Sequence, residues 1–196
     1  MGNMIITIGR EFGSCGHIIG KKLAQRLGIK YYDKESMAAE AKKSDKYEEL
    51  KAFYEEEPVN SLLYVIALDS GSGKHGEVPF EFIRQLAAKE DCVIVGRCGN
   101  YILRDNPDMT SVFVHAPQEY RIQKTAEDRN ISMTKAQRLV EKEDKARAGF
   151  HKYYADEIWN CTDGYHLTID SSVVGIDGAV DLIMDFVDRK ETMRRK

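Results

Sequence analysis

No apolar run in the 196-residue chain approaches the roughly eighteen residues needed to span a bilayer. No signal-like segment precedes Met4 either, so a cytoplasmic protein without membrane association is the expectation. Cysteine is sparse. Cys15, Cys92, Cys98 and Cys161 show neither C-x-x-C pairing nor metal-ligand spacing, which argues for reduced thiols rather than a disulfide framework or a zinc site. Excess charge is lacking too. A formal net charge of −3 matches nucleic acid poorly, although a local basic cleft is compatible with it. With no internal repeats or low-complexity tracts, residues 1–196 are expected to form a single domain with a sizeable core.

One further absence lies in the stretch that organises the chain, residues 4–27, MIITIGREFGSCGHIIGKKLAQRL. Residues 4–8 are apolar and β-branched, and residues 18–27 repeat their apolar positions at helical spacing. The turn between them carries Gly9, Gly13 and Gly16. Strand, glycine turn and helix in that order place backbone N–H groups at the positive end of a helix, where a phosphate binds. Gly13, Ser14, Cys15 and Gly16, flanked by Arg10 and His17, are therefore the candidate phosphate contacts. The full motif G-x-x-x-x-G-K-[ST] adds a lysine at the helix start and a hydroxyl for magnesium. Neither stands where it should. Lys21 and Lys22 come more than a helical turn too late and read as solvated helix cations. Ser14 is the hydroxyl in the loop and, by chemistry alone, the candidate magnesium ligand. Gly16 is expected to need a positive φ, which would make Gly16→Lys costly.

The run REFGSCGHIIGKKLAQRLGIKYYDKE (residues 10–35) resembles the opening of the cytidylate kinase-like family. VIVGRCGNYILRDNPDMTSVFVHAP (residues 93–117) and DKARAGFHKYY (residues 144–154) are similar to two further blocks of that family. Cys15 replaces a glycine usual in the family, and the match is weakest over residues 43–78. Set against the first helix of bacterial CMP kinases, Gly16 falls at the lysine position, with His17 and Ile18 following it.

Further along, Gly28 is a helix C′ residue, residues 29–32 read as a strand, and Asp33 stands at its C-terminal end. There it either bonds a ribose or base or caps the next helix. The arginine expected in the following helix of a CMP kinase is absent from Met37-Ala38-Ala39. Residues 34–57 suggest two amphipathic helices broken near Ser44-Asp45, residues 58–68 a further helix, and residues 70–79 a loop. The Gly-Ser-Gly-Lys in that loop follows no apolar strand and is not a second phosphate loop. A helix over residues 80–88 leads to a buried strand, residues 92–96, with Arg97 at its end as a phosphate clamp or an edge ion pair. Residues 110–114 read as a strand, with His115 structural and Pro117 as the first residue of the next helix.

Helices over residues 119–128 and 133–154 resemble the lid of nucleoside monophosphate kinases, with Arg121, Arg129 and Arg138 as candidate contacts to the transferring group. Asp144 and Arg147 share a helix face with His151. The resemblance implies that the acid reads the cytosine amino edge and the arginine holds phosphate; the alternative is an intrahelical ion pair. Residues 165–170 form the last strand, residues 171–175 a turn with Asp170-Ser171-Ser172 near a base, residues 176–187 the closing helix, and RKETMRRK a frayed tail.

Alternating strands and helices predict a three-layer α/β/α fold around a parallel sheet of about five strands, with an acceptor-binding insert over residues 34–91 and a lid over 118–155. The resemblance implies phosphoryl transfer from ATP, with Mg2+, to a nucleoside monophosphate, CMP first. Catalytic roles would fall to Arg97, Arg121 and Arg129, and substrate contacts to Asp33, Arg97, Asp144 and Arg147. A non-catalytic nucleotide-binding module that lost the lysine, or a kinase of another small acceptor, remains open.

Overall fold

Five strands form one parallel sheet in the order β2-β3-β1-β4-β5. They are β1 Ile5–Arg10, β2 Lys30–Tyr32, β3 Cys92–Val95, β4 Met109–His115 and β5 Leu167–Asp170. The computed structural model describes residues 2–55 and 77–194. Strands β1, β3 and β4 are buried along almost their whole length, which is why they read as unbroken apolar runs rather than alternating ones. The two faces still divide residue by residue. Ile5, Cys92 and Ile94 enter one core, while Ile6, Ile8, Val93 and Val95 enter the other.

Eight α-helices lie among the described residues: α1 Gly16–Leu27, α2 Lys34–Ala41, α3 Tyr47–Glu55, α4 Glu77–Lys89, α5 Gly99–Ile102, α6 Gln118–Arg129, α7 Met133–Ala155 and α8 Ser171–Arg194. Ile19 and Leu23 of α1 pack with Val180, Ile183 and Val187 of α8 on one face of the sheet. Met37, Phe53, Ile83 and Ile102 cover the other, joined by Phe150 and Tyr154 of α7. The result is the three-layer α/β/α arrangement expected from the order of elements. Because every pair is parallel, the C-terminal strand ends share one edge. Arg10 pairs with Val114 there and His115 with Asp170.

Several boundaries differ from expectation. Pro117 is the N-cap of α6, with extended ψ 141, and not its first helical residue. The last strand begins at Leu167 rather than two residues earlier. Residues 171–174 are helical where a turn was expected, and Gly175 (φ 68, ψ −178), a conformation glycine alone adopts cheaply, breaks them from the helix that follows, as the expected boundary at residue 176 requires. The tail is helical to Arg194 because its polar face has long-range partners. Arg194 pairs with Asp108, and Lys190 donates to the Met109 carbonyl. Glu77, Val78 and Pro79 form the first turn of α4, where proline is tolerated. The expected helix at residues 58–68, the rest of the 70–79 loop and its Gly-Ser-Gly-Lys lie outside the described residues. No helix among the described residues is long and apolar enough to cross a membrane.

Candidate active site

Between β1 and α1 the chain turns over five residues. Glu11 N–H donates to the Val114 carbonyl (3.0 Å), keeping the loop on the sheet edge. Positive φ falls on Gly13 (φ 80) and Cys15 (φ 62), not on Gly16 as expected. Gly16 is constrained by space instead: a Cβ there would lie 2.5 Å from Arg10 Cβ. A Cβ on Gly13 would meet the Arg121 carbonyl at 2.7 Å and Thr125 Oγ1 at 2.9 Å. Cys15 is the N-cap of α1 and gives no side-chain cap, so the leading N–H groups of the helix have no side-chain acceptor. Burial pushes the Cys15 thiol up, which keeps it neutral beside an anion.

Ser14 is buried beneath this loop. Its hydroxyl is within hydrogen-bonding reach of the carbonyls of Glu11 (2.9 Å) and Val114 (3.1 Å), and Ser171 Oγ donates to its carbonyl (2.8 Å). Its side chain braces the loop and does not line the pocket above it. That pocket, about 180 Å³, gathers Arg10, Gly13, Cys15, Gly16, His17, Arg129 and Arg147 from the expected set. It also brings in Glu11, Phe12, Ile18, Thr125 and Asp128, which sequence reasoning missed. Thr125 was readable in principle: Arg121, Thr125 and Arg129 are spaced four apart on α6 and so share a face.

Two arginines reach the mouth from the helical pair α6–α7. Arg129 and Arg147 each place a guanidinium 5.3 Å from the Phe12 ring, so the ring spaces two cations above the loop. Arg147 Nη1 also donates to the Arg10 carbonyl (3.0 Å). Arg138 is exposed and makes no such approach.

Arg121 and Asp144 lie beneath the loop instead of over its mouth. Arg121 is 7% exposed, and its Nε donates to the Ala116 carbonyl (2.9 Å) and faces Glu11 Oε2 (3.1 Å). Its Nη1 donates to the Phe12 carbonyl (3.1 Å) and pairs with Asp144 Oδ2. Asp144 Oδ1 accepts from Phe12 N–H (2.7 Å). Both carboxylate oxygens of Asp144 are thus engaged with the loop and with α6, so the intrahelical pair with Arg147 is not the one that forms.

The other expected contacts are spread along the sheet edge. Arg97, with φ 55, is buried; it donates to the Phe53 carbonyl (2.8 Å) and lies 4.8 Å from the Phe150 ring centroid. It braces the aromatic cluster that joins α3 to α7. Asp33 caps α2: its Oδ1 accepts from Ser36 N–H (2.9 Å), and Ser36 Oγ accepts from Asp33 N–H (2.7 Å). Burial opposes the charge on Asp33, but the Ser36 bonds and nearby His17 together hold its carboxyl below the usual range. His17 Nδ1 lies 3.0 Å from Tyr31 Oη and 3.9 Å from Asp33 Oδ2, which links the start of α1 to the end of β2.

The sequence model of the cytidylate kinase-like family matches residues 5–173. A cytidylate kinase from Desulfurococcus amylolyticus is 27% identical over 173 residues, covering 86% of this chain and 84% of that protein. Among solved structures, an uncharacterized protein from Eubacterium ventriosum is 31% identical, with a TM-score of 0.74 over 95% of this chain and 99% of that one. A shikimate kinase from Acinetobacter baumannii in complex with shikimate (15% identity, TM-score 0.53, covering 99% and 96%) shares the fold. So does a gluconokinase from Sinorhizobium meliloti (12%, 0.57, 98% and 97%). With the glycine loop at the β1–α1 junction and the family match running through all five strands, the chain belongs to the cytidylate kinase-like family.

Proposed function

We propose that the protein transfers the γ-phosphoryl group of ATP to a nucleoside monophosphate, with CMP the first acceptor to test. The observation that carries this reading is the loop itself. Positive φ at Gly13 and Cys15 and an uncapped α1 present backbone N–H groups beneath two arginines from α6 and α7. The CMP assignment rests on the family and on the named activity of the Desulfurococcus amylolyticus relative.

In this reading the backbone of residues 13–16 cradles the donor phosphates, and His17 borders them. Arg129 and Arg147 offset charge on the transferring group while α6 and α7 act as a lid over it. Arg121 positions the loop from below. An acceptor phosphate oxygen attacks the γ-phosphorus in line, the bond to the β–γ bridging oxygen breaks, and ADP leaves. Asp33, at the crevice end of β2, and Arg97, at the end of β3, stand on the acceptor side.

Magnesium, when bound, neutralises the β- and γ-oxygens of the donor. The residues present fit an ion held mainly by the donor's own phosphates with one or two carboxylates. No group of three or more His, Cys, Asp or Glu side chains suited to a metal occurs among the described residues. Asp33 Oδ2 lies 3.9 Å from His17 Nδ1 at the start of α1, Glu11 and Asp128 line the loop pocket, and Ser14 is held inward.

The test is ATP turnover with each nucleoside monophosphate in turn, run beside a binding titration. ADP formation that depends on CMP is expected. Nucleotide binding without turnover on any acceptor would overturn the kinase reading in favour of a binding module, and turnover on a non-nucleotide acceptor alone would overturn the acceptor.

A further inference from the structure

The chain lacks a lysine at the start of α1, yet the space such a side chain would use is filled. A Cβ added to Gly16 would lie 2.5 Å from Arg10 Cβ, 3.0 Å from Arg10 Cγ and 3.3 Å from Val114 Cβ. Real Cβ atoms do not approach so closely, so no side chain fits at position 16 without a backbone shift while position 10 carries a side chain. The far end of the same side chain is fixed by a second glycine. A Cβ on Gly96 (φ 79), just past the end of β3, would lie 3.0 Å from Arg10 Cζ and closer still to Nη1. Arg10 therefore runs from the last residue of β1, across the first residue of α1, to the end of β3. Its guanidinium lies along the crevice edge of the parallel sheet, where ligands of such folds bind. Its carbonyl is held by Arg147, and its side chain lines the pocket of the glycine loop.

From this path we infer that Arg10 supplies the phosphate-contacting cation that a lysine at position 16 would supply in a complete loop, and that Gly16 and Gly96 are glycines to make room for it. The inference rests on the phosphate-loop reading above and extends it by moving the cation from the helix to the strand. Other basic side chains on α1 do not substitute. Lys22 pairs with Asp177 on α8, and Lys21 is exposed further along the helix. The exchange is chemically sound because a guanidinium is permanently charged and its planar fork can engage two oxygens of a polyphosphate, whereas a lysine ammonium acts as a point charge. Position and charge are coupled: glycine at position 10, which removes Cβ and Cγ together with the charge, frees the space that a side chain at 16 needs.

That coupling is testable as a complementation. ATP and inorganic tripolyphosphate are titrated by calorimetry, without acceptor, into wild type, R10Q, R10G, G16K and the R10G/G16K double variant, with thermal unfolding to establish folding. R10Q and R10G are expected to bind both ligands about 10- to 150-fold more weakly, the range for removing a hydrogen bond to a charged group. G16K alone is expected to bind weakly too, since its Cβ meets that of Arg10 and forces the loop to shift. R10G/G16K is expected to recover most of the loss, because glycine at position 10 removes the Cβ and Cγ that crowd position 16. Unchanged affinity in folded R10Q, or a folded double variant no better than R10G, would overturn the inference, as would a wild type that binds neither ligand. Tripolyphosphate affinity that falls in R10Q and returns in the double variant, in a protein that turns ATP over with no acceptor, would retain Arg10 and discard only the kinase reading.

Discussion

Arg121 of α6 and Asp144 of α7 form an ion pair beneath the glycine loop, and each also bonds the backbone of Phe12. The pair thus joins three pieces of chain: the loop and the two helices that overhang it. Asp144→Ala leaves Arg121, 7% exposed, without its carboxylate partner on α7, although Glu11 still faces it. The expected cost is about 3 kcal/mol, the lower end for breaking a buried pair, since the Asp144 side chain keeps 20% exposure. Affinity should fall alike for CMP and UMP, because the damage is to the loop and not to base recognition. Thermal unfolding and parallel titrations check this; an Asp144→Ala protein of normal stability that loses CMP alone would restore the base-reading role.

Arg147 and Phe12 give a graded prediction. Arg147→Ala removes a cation from the pocket and is expected to weaken nucleotide binding roughly 10- to 150-fold. Phe12→Leu keeps both arginines but removes the ring that lies 5.3 Å from each. A cation–π contact at an exposed site is worth about 0.5–1 kcal/mol, so the expected loss is only severalfold, seen in KM more than kcat. Equal losses in the two variants would show that Phe12 touches the ligand itself.

The parts of this architecture legible in the sequence are those with local causes. Strands β1 and β3 are buried on both faces and so are apolar runs, and the glycine loop announces itself by composition. The break near Ser44-Asp45 and the C′ glycine Gly28 are likewise matters of a few neighbouring residues. What was not legible depends on partners distant in sequence. Arg121 and Asp144 are 23 residues apart on different helices, so nothing in either segment shows that they meet. The aromatic surroundings of Arg97 were not legible either, because Phe53 and Phe150 come from segments far from β3 in sequence. The end of α8 looked frayed because its residues are polar, and it is held by Asp108 and the Met109 carbonyl. The crowding at Gly16 had one sequence signal: a cation at the strand end beside a glycine where a lysine was due.

His151 makes stability depend on pH. It is buried on α7, its Nδ1 lies 3.4 Å from the Glu157 carbonyl, and its Nε2 has no hydrogen-bond partner among the described residues. Burial lowers its pKa below the ordinary 6.5, with Glu157 opposing. A depressed folded value means that the unfolded chain binds the proton more readily. This contribution is therefore intact above 6.5 and is lost as pH falls toward the folded pKa. Urea unfolding between about pH 7.5 and pH 5 should show stability declining, and His151→Gln should decline less steeply. A residual slope is expected from His166, whose pKa is lowered by burial and by Lys190. Identical slopes in wild type and variant would remove His151 from the account.

Asp33 separates a helix cap from a ligand contact by a single atom. As the N-cap of α2 it needs only an oxygen that accepts from Ser36 N–H, and asparagine provides one; as a partner for magnesium or a nucleotide it needs the charge. Asp33→Ala removes both and should cost about 1 kcal/mol of stability. Asp33→Asn should unfold within a few tenths of a kcal/mol of wild type near neutral pH, since the two residues cap about equally. It should also lose the acid-side dependence. Because the Asp33 pKa is held below 3.8 when folded, the stabilisation from its ionised form is present above that value and fades as pH falls through the folded pKa. If the carboxylate serves the reaction, turnover in the Asn variant falls at least about tenfold although the helix is still capped. Full turnover in Asp33→Asn would make Asp33 a cap and move the acidic contact elsewhere along the crevice, Asp128 at the pocket rim being the next carboxylate to substitute.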